Sequence, residues 1–203
     1  ILPREDPEVS KEMERIMKKK GITIKTGTSV ESVDTKGKGC LVSAKTKDGS
    51  IEKIECEIVL SAVGVSTNIQ GIGIEECGIK TEKGIVVTDD FYKTNVEGVY
   101  AIGDIVGEPM LAHKASHEAR VAVDAILGKK VAFEPLAIPA VVFTDPEIAW
   151  AGLNENTATA KGIKYEVAKF PWAASGRATT LDRSDGLTKI LVDPETERVL
   201  GIG

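Results

Sequence analysis

The segment VYAIGDIVGEPMLAHKASHE, residues 99–118, joins two features that together could hold a ligand. Its opening apolar run, VYAI, is predicted to be a buried strand that delivers Gly103 and Asp104 at its carboxyl end, where open α/β sheets bind ligands. Gly103 has no Cβ and lets a ligand approach the backbone. An ionised Asp104 only accepts hydrogen bonds, so it suits the hydroxyls of a polyol such as a ribose or ribityl chain. A helix is predicted to begin after Pro109, and its first turn should leave the N–H groups of Met110, Leu111 and Ala112 without intrahelical acceptors. Those donors, with the helix dipole, favour negative charge on whatever lies against them. The same residues also fit a plainer role, in which Asp104 caps a turn and Pro109 to Ala112 is an ordinary helix start.

Other reactive side chains carry less. His113 and His117 are the only histidines, and their spacing puts both on one helix face as a metal pair would be. The residues between them, Lys114, Ala115 and Ser116, lack the Glu of an H-E-x-x-H motif, and no third ligand is evident, so no metal site is expected. Cys40, Cys56 and Cys77 show no C-x-x-C or C-x-x-x-x-C spacing and read as reduced packing residues. GIGIEE, residues 71–76, begins like a nucleotide-binding glycine loop but lacks the third glycine and is read as a turn.

Several elements must position the central segment. Asp6 and Pro7 open a helix on which Val9, Met13, Ile16 and Met17 repeat at helical spacing, and Lys18 to Lys20 suit its dipole before Gly21. Strands are then predicted at ITIKT, at LVSA and IEKIE joined across Lys47, Asp48 and Gly49, and at IVLSAV, residues 58–63. This last run lacks alternation, as expected of a strand buried on both faces. After two Gly-rich turns come a strand at IVVT, the VYAI run, and a helix with Leu111, Ala115, Ala119, Val123 and Ile126 along one face, closed by Gly128. From Pro135 onward, VVFT, a weak helix through Ala158 and Ala160, YEVAKF, LTKILV and RVLGI suggest an antiparallel sheet with a helix beside it. Trp150, Trp172, Phe143 and Phe170 fall in this last stretch and fit either an interface or an ordinary core.

The 203 residues are 42% hydrophobic and 28% charged, which is the composition of a soluble globular chain. A net charge of -5 without a basic patch argues against nucleic acid as a partner. No apolar run approaches the roughly 18 residues of a membrane span. The chain opens at Ile1 and stops on a strand pattern at VLGIG, so it is expected to be part of a longer protein.

AIGD resembles the second flavin-binding signature of the pyridine nucleotide-disulfide oxidoreductases, and GEPMLAHKASHEA is similar to the dihydrolipoamide-oxidising branch of that family. SAVG, ending at Gly64, resembles the exit strand of the family's NAD domain; TNVEGVYAIGD, its central domain; and IPAVVFTDPEIAWAGL with FPWAASGRA, its interface domain. The resemblance implies an α/β plus α+β chain in three pieces. These are the second half of a nucleotide-binding α/β domain (residues 1–66), a central FAD-contacting segment (67–134) and the start of an antiparallel-sheet interface domain (135–203). It implies FAD and NAD as cofactors, a homodimer, and lipoyl domains of 2-oxoacid dehydrogenase complexes as partners. Asp104 would hold the ribityl hydroxyls, the backbone at Gly103 and at Met110 to Ala112 with His113 would lie against the flavin, and Gly64 would meet NAD through its backbone. A helix N-terminus over the flavin edge would favour the negative charge a reduced flavin carries.

The chain departs from the family pattern at Val65, where many members have Arg, and at Thr157 and Thr159, which weaken a local helix. The family's glycine loops, redox cysteine pair and His–Glu pair are not in this sequence, so no catalytic residue is assigned and the isolated chain is expected to be inactive. A sister activity, such as a mercuric, glutathione or NADH-oxidising reductase, and a non-catalytic dimerisation module are the competing expectations.

Overall fold

A computed structural model describes residues 1–203 and divides into two compact units, Ile1–Val63 with Val141–Gly203, and Gly64–Ala140. The first unit begins with helix α1 (Pro7–Lys19), capped as its sequence predicts. The Asp6 carboxylate accepts the Glu8 N–H at 2.9 Å, Met13 and Ile16 are buried, and the chain turns away at Gly21 with φ +85°. Strands β1 (Ser29–Asp34), β2 (Cys40–Lys45) and β3 (Ile51–Cys56) form an antiparallel sheet in that order. The β2–β3 hairpin matches its turn signal, but the strand expected at ITIKT is absent and its place in the ladder is taken by SVESVD. Residues 29–34 are exposed throughout, so their pairing leaves no alternating apolar signal to read.

The strand expected at residues 58–63 does not form. Ile58, Leu60 and Val63 are 83%, 89% and 95% exposed. An apolar run without alternation needs strand neighbours to complete its hydrogen bonds and cover both faces, and no strand of the three sheets pairs with it.

In the second unit, β4 (Thr81–Glu82) and β5 (Ile85–Val86) make a short hairpin, less than the IVVT strand expected. Residues 99–102 are not a ladder strand. Tyr100 forms one antiparallel bridge with Lys93, and the Ala101 N–H donates to the Tyr92 carbonyl at 3.0 Å. Ala101 is nonetheless buried, against Ile74 and Val86, so the run belongs to the core without belonging to a sheet. Helix α2 (Ala112–Ile126) follows, and its buried face is Lys114, Glu118, Val121 and Ala122. The apolar face expected from Leu111 to Ile126 is instead the more open one, with Val123 and Ile126 exposed.

The first unit resumes with β6 (Ala140–Val142), β7 (Ile148–Gly152), α3 (Glu155–Ala160), β8 (Glu166–Pro171), α4 (Gly176–Thr180), β9 (Leu187–Val192) and β10 (Val199–Ile202). The strands form a five-stranded sheet in the order β6-β7-β10-β9-β8. Although threonine-rich, α3 forms because Asn154 and Thr157 make a reciprocal capping box, so Thr157 serves the cap. Where β7 meets β10, Gly152 lies opposite Gly201. A Cβ on either glycine would overlap a carbonyl oxygen of the facing segment, at Leu200 for Gly152 and at Leu153 for Gly201. No helix is long and apolar enough to cross a membrane.

α1 and this sheet share one unit through Lys189 on β9, a lysine only 1% exposed. Its ammonium meets Asp6 at 3.0 Å, Glu8 at 3.1 Å and also Glu155. The three carboxylates are close enough to bridge a cation, and the ammonium is that cation. Burial alone would pull the lysine pKa down, but the bonds to Glu155, Asp6 and Glu8 outweigh burial and hold it above the usual range. Lys189→Met should therefore destabilise the protein by about 3–5 kcal/mol, since it leaves three crowded carboxylates without the cation they share. Urea unfolding checks this, and a change below about 1 kcal/mol would contradict it.

Candidate functional site

All elements of the candidate site lie within the second unit. After the extended residues 99–102 the chain makes a 3-10 turn, Gly103–Val106, bounded by two glycines at positive φ, Gly103 (+78°) and Gly107 (+107°). Gly103 is buried, and a Cβ on it would stand 3.3 Å from that of Ala115 on α2. Asp104 is exposed, and its carboxylate makes no hydrogen bond or ion pair within the chain.

Both ends of the turn are tied to α2. The Gly103 N–H donates to Glu118 Oε2 at 2.7 Å, and Lys114 Nζ donates to the Gly107 carbonyl at 2.9 Å. Lys114 and Glu118 also pair with each other, at 2.8 Å. Tyr92 is a further partner of Glu118. Burial first, and then the charge of Glu118 and the hydrogen bond to it, push the Tyr92 phenol up to about 12. These bonds explain why α2 turns its charged stripe inward: the turn supplies backbone partners that only an acceptor and a cation could meet.

The start of α2 differs from expectation. The helix begins at Ala112 with Leu111 as its N-cap, and the Leu111 N–H donates to the Pro109 carbonyl at 3.0 Å. Met110 and Leu111 therefore precede the first turn, whose donors without an intrahelical acceptor are those of Ala112, His113 and Lys114. Pro109 sits too far ahead of the helix to occupy its first position, which is why the expected register was early. The first turn holds no acidic residue, so the positive end of the helix dipole is not offset there.

His113 is exposed with Nε2 2.7 Å from the Pro139 carbonyl, while the His117 ring lies against Phe133, centroids 6.2 Å apart, so the two histidines serve different neighbours. Gly64, at φ +131°, lies in exposed coil with open space where a Cβ would stand. GIGIEE is a turn, as read.

Gly103, Asp104, Ala112 and His113 are thus gathered at one loop and one helix end. The sequence reading missed Lys114, Glu118 and Tyr92. The Lys–Glu pair at i, i+4 is visible in the sequence, but that spacing ordinarily marks a solvated pair. The arrangement can hold a ligand, with an acceptor for hydroxyls at Asp104 and donors for negative charge at α2. Both fit the ribityl chain and ring edge of a flavin.

The aromatics of the last stretch divide, with Trp150 half-buried. Phe143 and Phe170 are exposed, and the half-buried Trp172 donates from its indole N–H to Thr188 Oγ1 at 3.0 Å. Cys40 and Cys56, distant in sequence, are direct cross-strand partners on β2 and β3, and all three cysteines are free thiols.

The family model described as pyridine nucleotide-disulphide oxidoreductase matches residues 1–119, and that of the family's dimerisation domain matches residues 138–203. The chain is 45% identical over 202 residues to a dihydrolipoyl dehydrogenase of Vibrio parahaemolyticus, covering 99% of this chain and 42% of that protein. It is 38% identical to a leghemoglobin reductase of Vigna unguiculata, over all of this chain and 39% of the relative. Among solved structures, it resembles the HOCl-induced flavoprotein disulfide reductase RclA of Escherichia coli, with a TM-score of 0.90 and 25% identity over 99% of this chain and 46% of that one. LpdA of Mycobacterium tuberculosis matches with a TM-score of 0.86 and 29% identity, over 98% of this chain and 43% of its own. The chain therefore spans about two fifths of the length of the curated relatives it matches.

Gly103→Ala would force an L-residue into the left-handed region and press its Cβ on Ala115. It should cost about 1–2 kcal/mol from the backbone alone, read as a lower thermal midpoint, and Ala115→Gly should not restore it fully.

Proposed function

Because the chain belongs to the pyridine nucleotide-disulphide oxidoreductase family, we propose that the whole protein oxidises dihydrolipoamide to lipoamide and delivers the electrons to NAD. FAD, when bound, supplies the two-electron relay between a substrate dithiol and the nicotinamide. This chain contributes the part that holds FAD. Asp104 accepts hydrogen bonds from the ribityl hydroxyls, and the N–H groups at the start of α2, beginning at Ala112, face the ring edge where negative charge collects. His113, tied to Pro139, flanks that edge, and Met110 and Leu111 lead into it.

The observation that carries the reading is Asp104: an exposed carboxylate with no partner in the chain, on a turn held at both ends, next to a helix start without acids. Dihydrolipoamide as the substrate is supported by the name of the dihydrolipoyl dehydrogenase of Vibrio parahaemolyticus, and the partners that would present it are the lipoyl domains of 2-oxoacid dehydrogenase complexes. NAD rather than NADP rests on family likeness, and Gly64 would meet it through its backbone. Residues 1–66 act as the later part of the NAD-binding domain, 67–134 as the FAD-contacting segment and 135–203 as part of a homodimer interface. The exposed Phe143 and Phe170 suit the interface role. A sister reductase of the same family is the second reading, and dihydrolipoamide competed against other disulfide substrates separates the two.

In the full-length protein, Asp104→Ala should loosen FAD by about 1.5–3 kcal/mol, the worth of a hydrogen bond to a charged group. Flavin fluorescence titration measures it, and unchanged affinity would refute the assignment. This chain alone should show no NAD-dependent dihydrolipoamide oxidation, because the dithiol and acid–base steps need groups it does not contain; turnover by the chain alone would overturn that.

A further inference from the structure

We propose that the buried pair Lys114 and Glu118 is the positioning element of the cofactor segment, holding residues 103–107 in the conformation that presents Asp104 and balancing charge at the start of α2. The proposal rests on reading this segment as an FAD site. Glu118 is 1% exposed and Lys114 5%, too deep for a solubilising pair. A buried ion pair is a poor device for stability alone, because desolvation offsets the attraction and apolar side chains of similar volume often serve as well. What apolar side chains could not do is bond to the turn. Glu118 accepts the N–H of Gly103, and Lys114 donates a hydrogen bond to the carbonyl of Gly107. Both glycines sit at positive φ, and glycine left to itself populates many other conformations. Asp104 lies between the two anchors and its carboxylate makes no bond in the chain, so the turn sets its direction.

The second role is electrostatic. Lys114 brings a cation into the first turn of α2, at the positive end of the dipole, and Glu118 neutralises it one turn later. Glu118→Gln keeps an oxygen for the Gly103 N–H but leaves the ammonium uncompensated beside the flavin edge. Negative charge on the cofactor is then favoured, and the midpoint potential rises. Removing the cation as well, in Lys114→Met/Glu118→Gln, returns the site to neutrality.

The test uses the full-length protein with and without FAD. In Glu118→Ala, hydrogen exchange of the peptide spanning residues 103–107 should speed up while the rest of α2 stays protected, and the FAD dissociation constant should rise roughly tenfold or more. Glu118→Gln should keep that protection and raise the flavin midpoint potential, and the double variant should bring the potential back. A tenfold change in preference between the two redox states corresponds to about 30 mV for a two-electron couple. Unchanged exchange and affinity in Glu118→Ala, or one potential shared by wild type, Glu118→Gln and the double variant, would overturn the proposal. If Glu118→Ala does not fold, the potentials of the other two variants decide alone. A wild-type protein that binds no FAD, yet whose residues 103–107 lose protection in Glu118→Ala, would defeat the FAD reading while supporting the clamp.

Discussion

A lysine ammonium withdrawn from water must be met by carboxylates and carbonyls, or it gives up its charge. Each compact unit of this chain is arranged around one such group. In the first, Lys189 reaches from the sheet to the carboxylates at the starts of α1 and α3. In the second, Lys114 and Glu118 face inward from α2 and bind the glycine-bounded turn. The apolar clusters of the second unit are small, Ile74 with Val86 and Ala101, and Tyr92 with Val121 and Ala122, so directional bonds there fix what packing alone would leave loose.

The two ammonium groups do different things. Lys189 joins segments far apart in sequence, and the strongest claims on Asp6 come from two sides at once, the helix it caps and the lysine it neutralises. One oxygen of Asp6, Oδ2, is left buried without a partner, a cost the cluster carries for being crowded with acids. The pair on α2 acts locally instead, between residues separated by one helical turn and a loop just upstream. Its effect is to leave Asp104 as the one acid of that turn facing outward and uncommitted.

Local rules read well where the chain decides its own conformation. The Asp6–Pro7 cap, the β2–β3 hairpin and the threonine-bearing α3 all follow from side chains within a few residues of the backbone they satisfy. Legibility fails where a partner decides. Residues 58–63 look like a buried strand because their composition answers to neighbours that no sheet here provides. The inward face of α2 was misread because Lys114 and Glu118 are polar by type and buried by circumstance: nothing in their spacing announces that a backbone N–H and a carbonyl wait for them. Gly103 and Asp104 stand out in the sequence as a glycine before an acid at the end of an apolar run, a pattern that suits a capped turn as well as a ligand site. The helix donors beside them fall later than the sequence suggests, because the expected helix begins directly after Pro109 whereas α2 begins at Ala112.

The facing glycines Gly152 and Gly201 bear on a different question, that of alignment. β7 and β10 have weakly alternating burial, so hydrophobic preference alone would tolerate a slip between them. With no room for a Cβ at either position, a shift by one residue would bring Ala151 or Leu200 to a point where only hydrogen fits. The two strands are thus keyed like a lock and its ward, and misaligned sheets are rejected by exclusion before their energies need be compared.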